Sequence, residues 1–133
     1  MSEANLEAYR RTVDAWTRAD REAWLQDIPP DWEFVPSGVF PGLDSAYRGP
    51  EGALKLWEDM RGPWTDFEVT IERIEQLGAE KIIALVMFQV RGRDGLRTSR
   101  RWAHVTTFRG SVPIRTENYA SWGDALESVG LEE

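Results

Sequence analysis

The chain of 133 residues is 41% hydrophobic and 29% charged, and its formal net charge is −7. It has no cysteine and one histidine, which excludes disulfide scaffolds, zinc fingers, thiol nucleophiles, thiolate-held iron–sulfur clusters and multi-histidine metal sites. The length predicts one domain over residues 1–133 that needs no disulfide or metal to fold.

The N-terminal segment predicts two helices. Apolar residues recur at helical spacing over residues 4–19 and form a stripe of Leu6, Tyr9, Val13 and Trp16. Asp20 is suited to cap a second, short helix that carries Trp24 and Leu25, and Pro29 ends this helix.

The next segment predicts a strand, a long loop and a third helix. The strand covers residues 32–35, and a loop rich in Gly, Pro and Ser follows over residues 37–49. Pro50 is favoured at the first position of a helix, and an acidic residue such as Glu51 suits the first turn. The inner stripe of this third helix is predicted as Leu54, Trp57 and Met60.

In the second half of the chain the apolar period changes from 3.6 to 2, which predicts strands. Phe67, Val69 and Ile71 alternate with polar residues, and the alternation slips near Arg73, which indicates a bulge. Residues 82–90 are nearly all apolar, so this strand is expected to be covered on both faces. A hairpin at Asp94-Gly95, two strands over 99–109 and 112–121, and a short helix over 123–131 complete the prediction.

Helices first and hairpin-linked strands after predict an α+β fold, with an antiparallel sheet and helices on one face. We expect the sheet to curve into a cone with a mixed edge, wrapped around the N-terminal helices. Such a cone encloses a cavity between sheet and helices, where a small molecule can bind.

A family resemblance rests on four short sequence motifs. They are Thr17–Arg21 at the end of the first helix, Tyr47–Gly52 before the helix that carries Trp57, Ala103–Gly110 on a late strand, and Asp124–Leu131 near the end of the chain. In this order and spacing the chain resembles the nuclear transport factor 2-like superfamily, and within it the SnoaL-like group with its ketosteroid-isomerase-like fold. The resemblance covers essentially the whole chain. It implies the fold more than a reaction, because this fold hosts isomerases, dehydratases, cyclases, epoxide hydrolases and non-catalytic subunits.

The resemblance also implies specific catalytic patterns that this chain lacks in part. Ketosteroid isomerases have an Asp base after the first strand, where this chain has Val35, Pro36 and Ser37. Their oxyanion Tyr corresponds to Thr12 and their oxyanion Asp to His104, so steroid isomerisation by that mechanism is not expected. The Asp–Arg–Asp set of limonene-epoxide-hydrolase-like enzymes is missing too. SnoaL-type cyclases place an Asp on the last strand, where Glu117 is the only acidic candidate.

His104 is the most informative residue for chemistry. A three-residue turn at 109–111 would pair His104 with Thr116, and its face of the sheet would continue through Trp102, Thr106 and Asn118. On that apolar wall a neutral imidazole can act as a base or donate to an oxyanion. The alternative is a buried His tied to one hydroxyl. A register slip of one residue would instead bring Glu117 beside His104 as an acid/base pair.

The ligand-binding candidates are mainly aromatic. The chain has seven Trp, most of which are expected in the core, and Asp44 lies in the long loop that we expect over the cavity mouth. The full candidate set is Trp16, Tyr47, Trp57, Trp102, Thr116 and Asn118, with His104 and Glu117 as the catalytic candidates.

Charge and hydropathy bear on partners and location. Residues 91–115 hold seven Arg and one acidic residue, which indicates either a solvated hairpin tip or a grip on one small anionic group. The acidic remainder disfavours nucleic acid. No run approaches the roughly 20 apolar residues of a membrane span, so we expect a cytoplasmic protein without a membrane partner. The doubly apolar strand predicts a homodimer that buries Leu85 or Val86.

Two functions remain open at this point. The first is a SnoaL-like enzyme that acts on a small apolar molecule by acid/base chemistry of the isomerase, cyclase or hydrolase type, without a cofactor. The second is a non-catalytic protein of the same fold, either a small-molecule binder or a dimeric interaction protein.

Overall fold

The computed structural model describes residues 2–40 and 42–131. Its four helices in this range are α1 (Ser2–Thr17), α2 (Arg21–Leu25), α3 (Gly49–Arg61) and α4 (Trp122–Ser128). Its six strands are β1 (Glu33–Val35), β2 (Tyr47–Arg48), β3 (Trp64–Leu77), β4 (Lys81–Gly92), β5 (Arg97–Arg109) and β6 (Val112–Tyr119). The predicted α+β class is confirmed. None of the helices in this range is long and apolar enough to cross a membrane.

The strands form one curved, unclosed sheet in the order β2-β1-β6-β5-β4-β3. Strands β3 to β6 form an antiparallel meander, because their period-2 sequences are joined by short turns. Strand β1 pairs in parallel with β6, which gives the sheet its mixed edge. The predicted bulge lies between Ile71 and Arg73 of β3, where it helps the long strand to bend.

The two faces of the sheet carry different cores. The inner face includes Ala84, Val86 and Trp102, which share one buried cluster with residues of α1, α2 and α3. The outer face includes Ile83 and Val105, which pack against α4. The prediction of helices on one face therefore holds for the first three helices, and α4 covers the other side.

Two side-chain assignments differ from the prediction. In α3 the buried apolar residues are Ala53, Leu56, Trp57 and Met60, and Leu54 is only partly buried. Val86 lies in the inner core, so it cannot take part in an interface on the outer face. Leu85 lies beside α4, and a homodimer through this region stays a prediction.

The hairpin between β5 and β6 has a register two residues away from the predicted one. Arg109 pairs with Val112, so the turn is the two residues Gly110 and Ser111, both with positive φ, as a tight hairpin requires. The register then shifts beyond Phe108, and His104 faces Asn118 instead of Thr116. A shift of two preserves the alternation of side chains. The predicted face of His104 is therefore correct although its predicted partner is wrong.

Candidate functional site

A cavity of about 470 Å³ lies between the inner face of the sheet and helices α1 and α2. Its interior is lined mainly by aromatic side chains: Trp16, Trp24, Trp32, Phe34, Phe67 and Trp102. All six are buried. A space of this size and lining suits a small, largely apolar molecule.

The mouth of the cavity is marked by its exposed lining residues. Arg11 of α1, Gln26 and Asp27 after α2, and Gly110 of the β5–β6 turn are exposed and line the same cavity. The opening therefore lies between the two N-terminal helices and a hairpin tip. The long loop that we expected over the mouth does not line the cavity, although its Phe40 packs edge-on against Trp102 with ring centroids 4.7 Å apart.

One imidazole stands among the aromatic residues, and both of its nitrogens have partners. His104 Nδ1 lies 2.6 Å from the Tyr9 hydroxyl oxygen. The indole Nε1 of Trp102 donates to His104 Nε2 across 2.7 Å. The side chains of Tyr9, His104 and Trp102 thus form a hydrogen-bonded chain in the cavity wall that connects α1 to β5. It leaves neither ring nitrogen free to take a proton from a ligand.

Burial keeps this imidazole uncharged. It lowers the pKa of His104 to about 4, and the neighbouring Asn118 side chain opposes this shift in part. His104 is therefore neutral near pH 7. A neutral ring with two occupied nitrogens is a poor general base, so the catalytic role that we expected of His104 has little geometric support.

Tyr9 is the polar residue of the site that the sequence reasoning missed. It lies on the inner stripe of α1, where a Tyr is indistinguishable from a core aromatic residue by periodicity alone. It is buried, it lines the cavity, and burial raises its pKa well above the ordinary value, so its hydroxyl stays protonated. Thr12, the expected counterpart of an oxyanion Tyr, lies one turn further on and donates to the carbonyl of Ala8. The sequence offers one signal for this residue: the Tyr9 side chain lies one helical turn before Thr12, the position where a Tyr was expected.

Two further polar groups line or flank the site. Thr106 of β5 and Thr116 of β6 both line the cavity, and their hydroxyls are 3.0 Å apart in a mutual hydrogen bond. Asn118 is fully buried and its amide nitrogen donates to the carbonyl of Val35 across 2.9 Å. This bond fixes the amide orientation. Asn118 ties β6 to β1 beside His104 and does not line the cavity.

The other predicted site residues divide into three groups. Trp16, Trp102 and Thr116 line the cavity as expected. Trp57 is buried against Trp16 with ring centroids 4.6 Å apart, so it backs the wall without lining it. Glu117 pairs with Val105 in the sheet and so lies on the outer face. The register that would bring Glu117 beside His104 is not the one adopted, because the turn and the bulge together shift β6 by two residues instead of one.

Tyr47 has a structural position outside the cavity. Its hydroxyl accepts from the backbone N–H of Asp44 and donates to Asp59 of α3. Lys55 bridges the carboxylates of Asp44 and Asp59 with two contacts of 2.8 and 2.9 Å. These bonds hold the loop after β1 against α3, and they account for Tyr47 without a ligand.

The arginine-rich segment is largely an exposed, paired surface. Arg91 contacts Asp66, Arg101 contacts Glu72 and Arg109 contacts Asp31. The pairs lie on the strands and hairpin tips of the described region, and their side chains are substantially exposed. These exposed ion pairs favour the interpretation of the segment as a solvated surface over its interpretation as a binding site for an anion.

A family model of the SnoaL-like domain matches residues 9–111, which is most of the chain and includes Tyr9, Trp102 and His104. The chain belongs to the SnoaL-like family. Among curated proteins, no sequence matches it significantly.

Solved structures share the SnoaL-like fold at low sequence identity. TerC, co-crystallised with polyporic acid, has a TM-score of 0.77 and 20% identity, over 93% of this chain and 96% of TerC. A putative SnoaL-like polyketide cyclase from Jannaschia sp. CCS1 has a TM-score of 0.73 and 15% identity, over 89% and 85%. The Delta 5-3-ketosteroid isomerase from Mycobacterium sp. has a TM-score of 0.72 and 18% identity, over 89% and 93%. Identities this low show the fold and do not transfer an activity.

Proposed function

We propose that this SnoaL-like protein binds a small, neutral, largely apolar molecule in its inner cavity, and that the Tyr9 hydroxyl is the polar group that the molecule meets. The observation that carries this proposal is the uncharged Tyr9–His104 pair in a cavity wall that is largely aromatic and carries no charged side chain away from its mouth. TerC offers a parallel, because that protein was crystallised with an organic ligand.

The polarity of the cavity argues for a neutral ligand. Away from the exposed mouth, its polar lining side chains are neutral near pH 7: Tyr9, Thr12, His104, Thr106, Ser111 and Thr116. The carboxylate of Asp27 and the guanidinium of Arg11 belong to the exposed mouth. A charged group held in the interior would lose its hydration without gaining a counter-ion.

The chemistry that this arrangement supports is hydrogen bonding to a ligand oxygen. A buried phenol that remains protonated can polarise a carbonyl-type oxygen, and the low-dielectric surroundings strengthen that bond. Proton abstraction has less support, because Asp27 at the mouth is the only carboxylate among the cavity-lining residues that the structure describes. Acid-type assistance of an isomerase or cyclase reaction therefore fits the site better than base catalysis by His104.

A matched pair of probes tests the proposal. Fluorenone and fluorene share one flat tricyclic skeleton and differ in a carbonyl, and quenching of the cavity tryptophans reports their binding. We expect the protein to bind fluorenone up to about tenfold more tightly than fluorene, since one hydrogen bond contributes roughly 0.5–1.5 kcal/mol. The variant Tyr9→Phe should bind both probes equally.

Tyr119→Phe is the matched control. It removes the same hydroxyl from a Tyr on the outer face, where that group contacts Glu117 across 3.2 Å. We expect this variant to retain the preference for fluorenone. Failure of both probes to bind, or an unchanged preference in Tyr9→Phe, would contradict the proposed function.

A further inference from the structure

The bond between Trp102 and His104 has a direction that chemistry alone dictates. An indole N–H is a donor and never an acceptor. Trp102 Nε1 lies 2.7 Å from His104 Nε2, so Nε2 must be the acceptor and cannot carry a proton. A neutral imidazole has one protonated nitrogen, which here is Nδ1.

The same reasoning continues to Tyr9. His104 Nδ1 lies 2.6 Å from the Tyr9 oxygen, and with its proton in place the imidazole donates to the phenol. The phenol's own proton then cannot point back at the ring. Among the described residues the Tyr9 oxygen has no other hydrogen-bond partner, and Tyr9 lines the cavity.

We infer that Trp102 is a positioning residue: its indole N–H fixes His104 as the Nδ1-protonated tautomer, and this commits the Tyr9 hydroxyl proton to the cavity. The last step rests on the function proposed above. The site then selects ligands that offer a hydrogen-bond acceptor, such as a ketone, ester or quinone oxygen, over those that offer only a donor.

The surrounding packing holds the indole in the orientation that this role requires. Trp102 is 2% exposed. Phe40 from the loop after β1 and Phe88 of β4 meet its ring edge-on, with centroids 4.7 and 5.4 Å away. The indole therefore cannot turn its N–H away from His104 without repacking two aromatic neighbours. This contact gives the long loop a part in the site although the loop does not line the cavity.

The test is nitrogen NMR of the imidazole, which is free of overlap because the chain has one histidine. In the ¹⁵N-labelled protein at neutral pH, without ligand, we expect Nδ1 to show the shift of a protonated ring nitrogen and Nε2 that of an unprotonated one. A spectrum with the proton on Nε2 would overturn the inference, and this reading needs no variant.

Three variants show which residue sets the tautomer. Trp102→Phe removes the donor, and we expect the Nδ1-protonated pattern to be lost in favour of a mixture or the other tautomer. Tyr9→Phe leaves the Trp102 bond in place and should keep the wild-type pattern. Trp122→Phe removes an indole from the outer core, where its Nε1 has no partner in the described region, and should also keep it. An unchanged pattern in Trp102→Phe, or a lost one in Tyr9→Phe, would overturn the assignment to Trp102.

The ligand experiment separates this inference from the proposed function. If fluorenone fails to bind while the NMR pattern is as expected, the proposed function is wrong and the role of Trp102 in fixing the tautomer stands. If fluorenone binds with the expected preference while Nε2 carries the proton, the function stands and the inference is wrong.

Discussion

Strand β5 separates two regions that differ in how fully they are packed. On its outer face Ala103 and Val105 are buried in one cluster with residues of α4. On its inner face Trp102, His104 and Thr106 border a cavity of about 470 Å³. Side chains do not fill this space, so the residues around it forgo packing contacts, and the inner face is not arranged for stability alone. The comparison assigns the outer face to the stability of the fold, and it supports the proposal that the inner face binds a ligand.

The largest expected effect on stability comes from the outer face. Leu126→Ala shortens a buried side chain of α4 in this outer cluster, and we expect it to lower the free energy of unfolding by about 3 kcal/mol. Urea denaturation measures this loss. The affinity for fluorenone should be unchanged in the folded variant, and a weaker affinity would show that the two regions are not separate.

A somewhat smaller loss of folding stability is expected as the pH falls, and it comes from His104 on the inner face. The pKa of His104 is about 4 in the folded protein against 6.5 for a free imidazole, so the unfolded chain binds the proton first. The stability that the neutral ring contributes is complete above pH 6.5 and decreases as the pH falls from there towards 4. Between about pH 6.5 and pH 5 the expected loss in the free energy of unfolding is about 2 kcal/mol.

The variant His104→Gln isolates this contribution. The carboxylates titrate in both proteins, so the difference between wild type and variant reports the imidazole. We expect the wild type to lose more stability than the variant over this range in urea denaturation. Parallel pH curves for the two proteins would contradict the buried, neutral His104.

A small effect is expected for Glu117→Gln. Glu117 lies on the outer face beside Arg115 and Tyr119, and we expect the affinity for fluorenone to remain within error of the wild-type value. Fluorescence titration measures this. A marked loss of affinity would mean that β6 takes the other register, with Glu117 beside His104.

The smallest change in stability is expected when the surface ion pair of Arg109 and Asp31 is removed. Both side chains are more than half exposed, and exposed pairs are screened by water and salt. We expect Arg109→Ala to show no change in urea midpoint beyond experimental scatter. A clear destabilisation would assign this hairpin tip a structural role.

The sequence predicts the fold well because periodicity and turn residues act locally. The period-2 segments, the Asp94-Gly95 turn and the bulge near Arg73 were all visible as patterns, and the inner face of His104 followed from alternation alone. Its cross-strand partner did not follow. That pairing depends on how Gly110 and Ser111 share the turn and on the bulge beyond Phe108, and neither is encoded by hydrophobicity.

The site was harder to predict because it depends on contacts between distant elements. Tyr9 and His104 are 95 positions apart, and a Tyr in an apolar helical stripe looks like core. The position of the cavity mouth depends on the gap between α1, α2 and one hairpin tip, which no local pattern reveals. Tyr47 and Trp57 were misplaced for the same reason, since both lie near the site in the fold without facing the cavity.

The most direct test of the account is a crystal structure of the protein with fluorenone. We predict that the tricyclic ring lies among the aromatic residues of the inner cavity and that its oxygen is within hydrogen-bonding distance of the Tyr9 hydroxyl. Fluorenone bound with its oxygen away from Tyr9, or bound only on the outer face, would contradict the account.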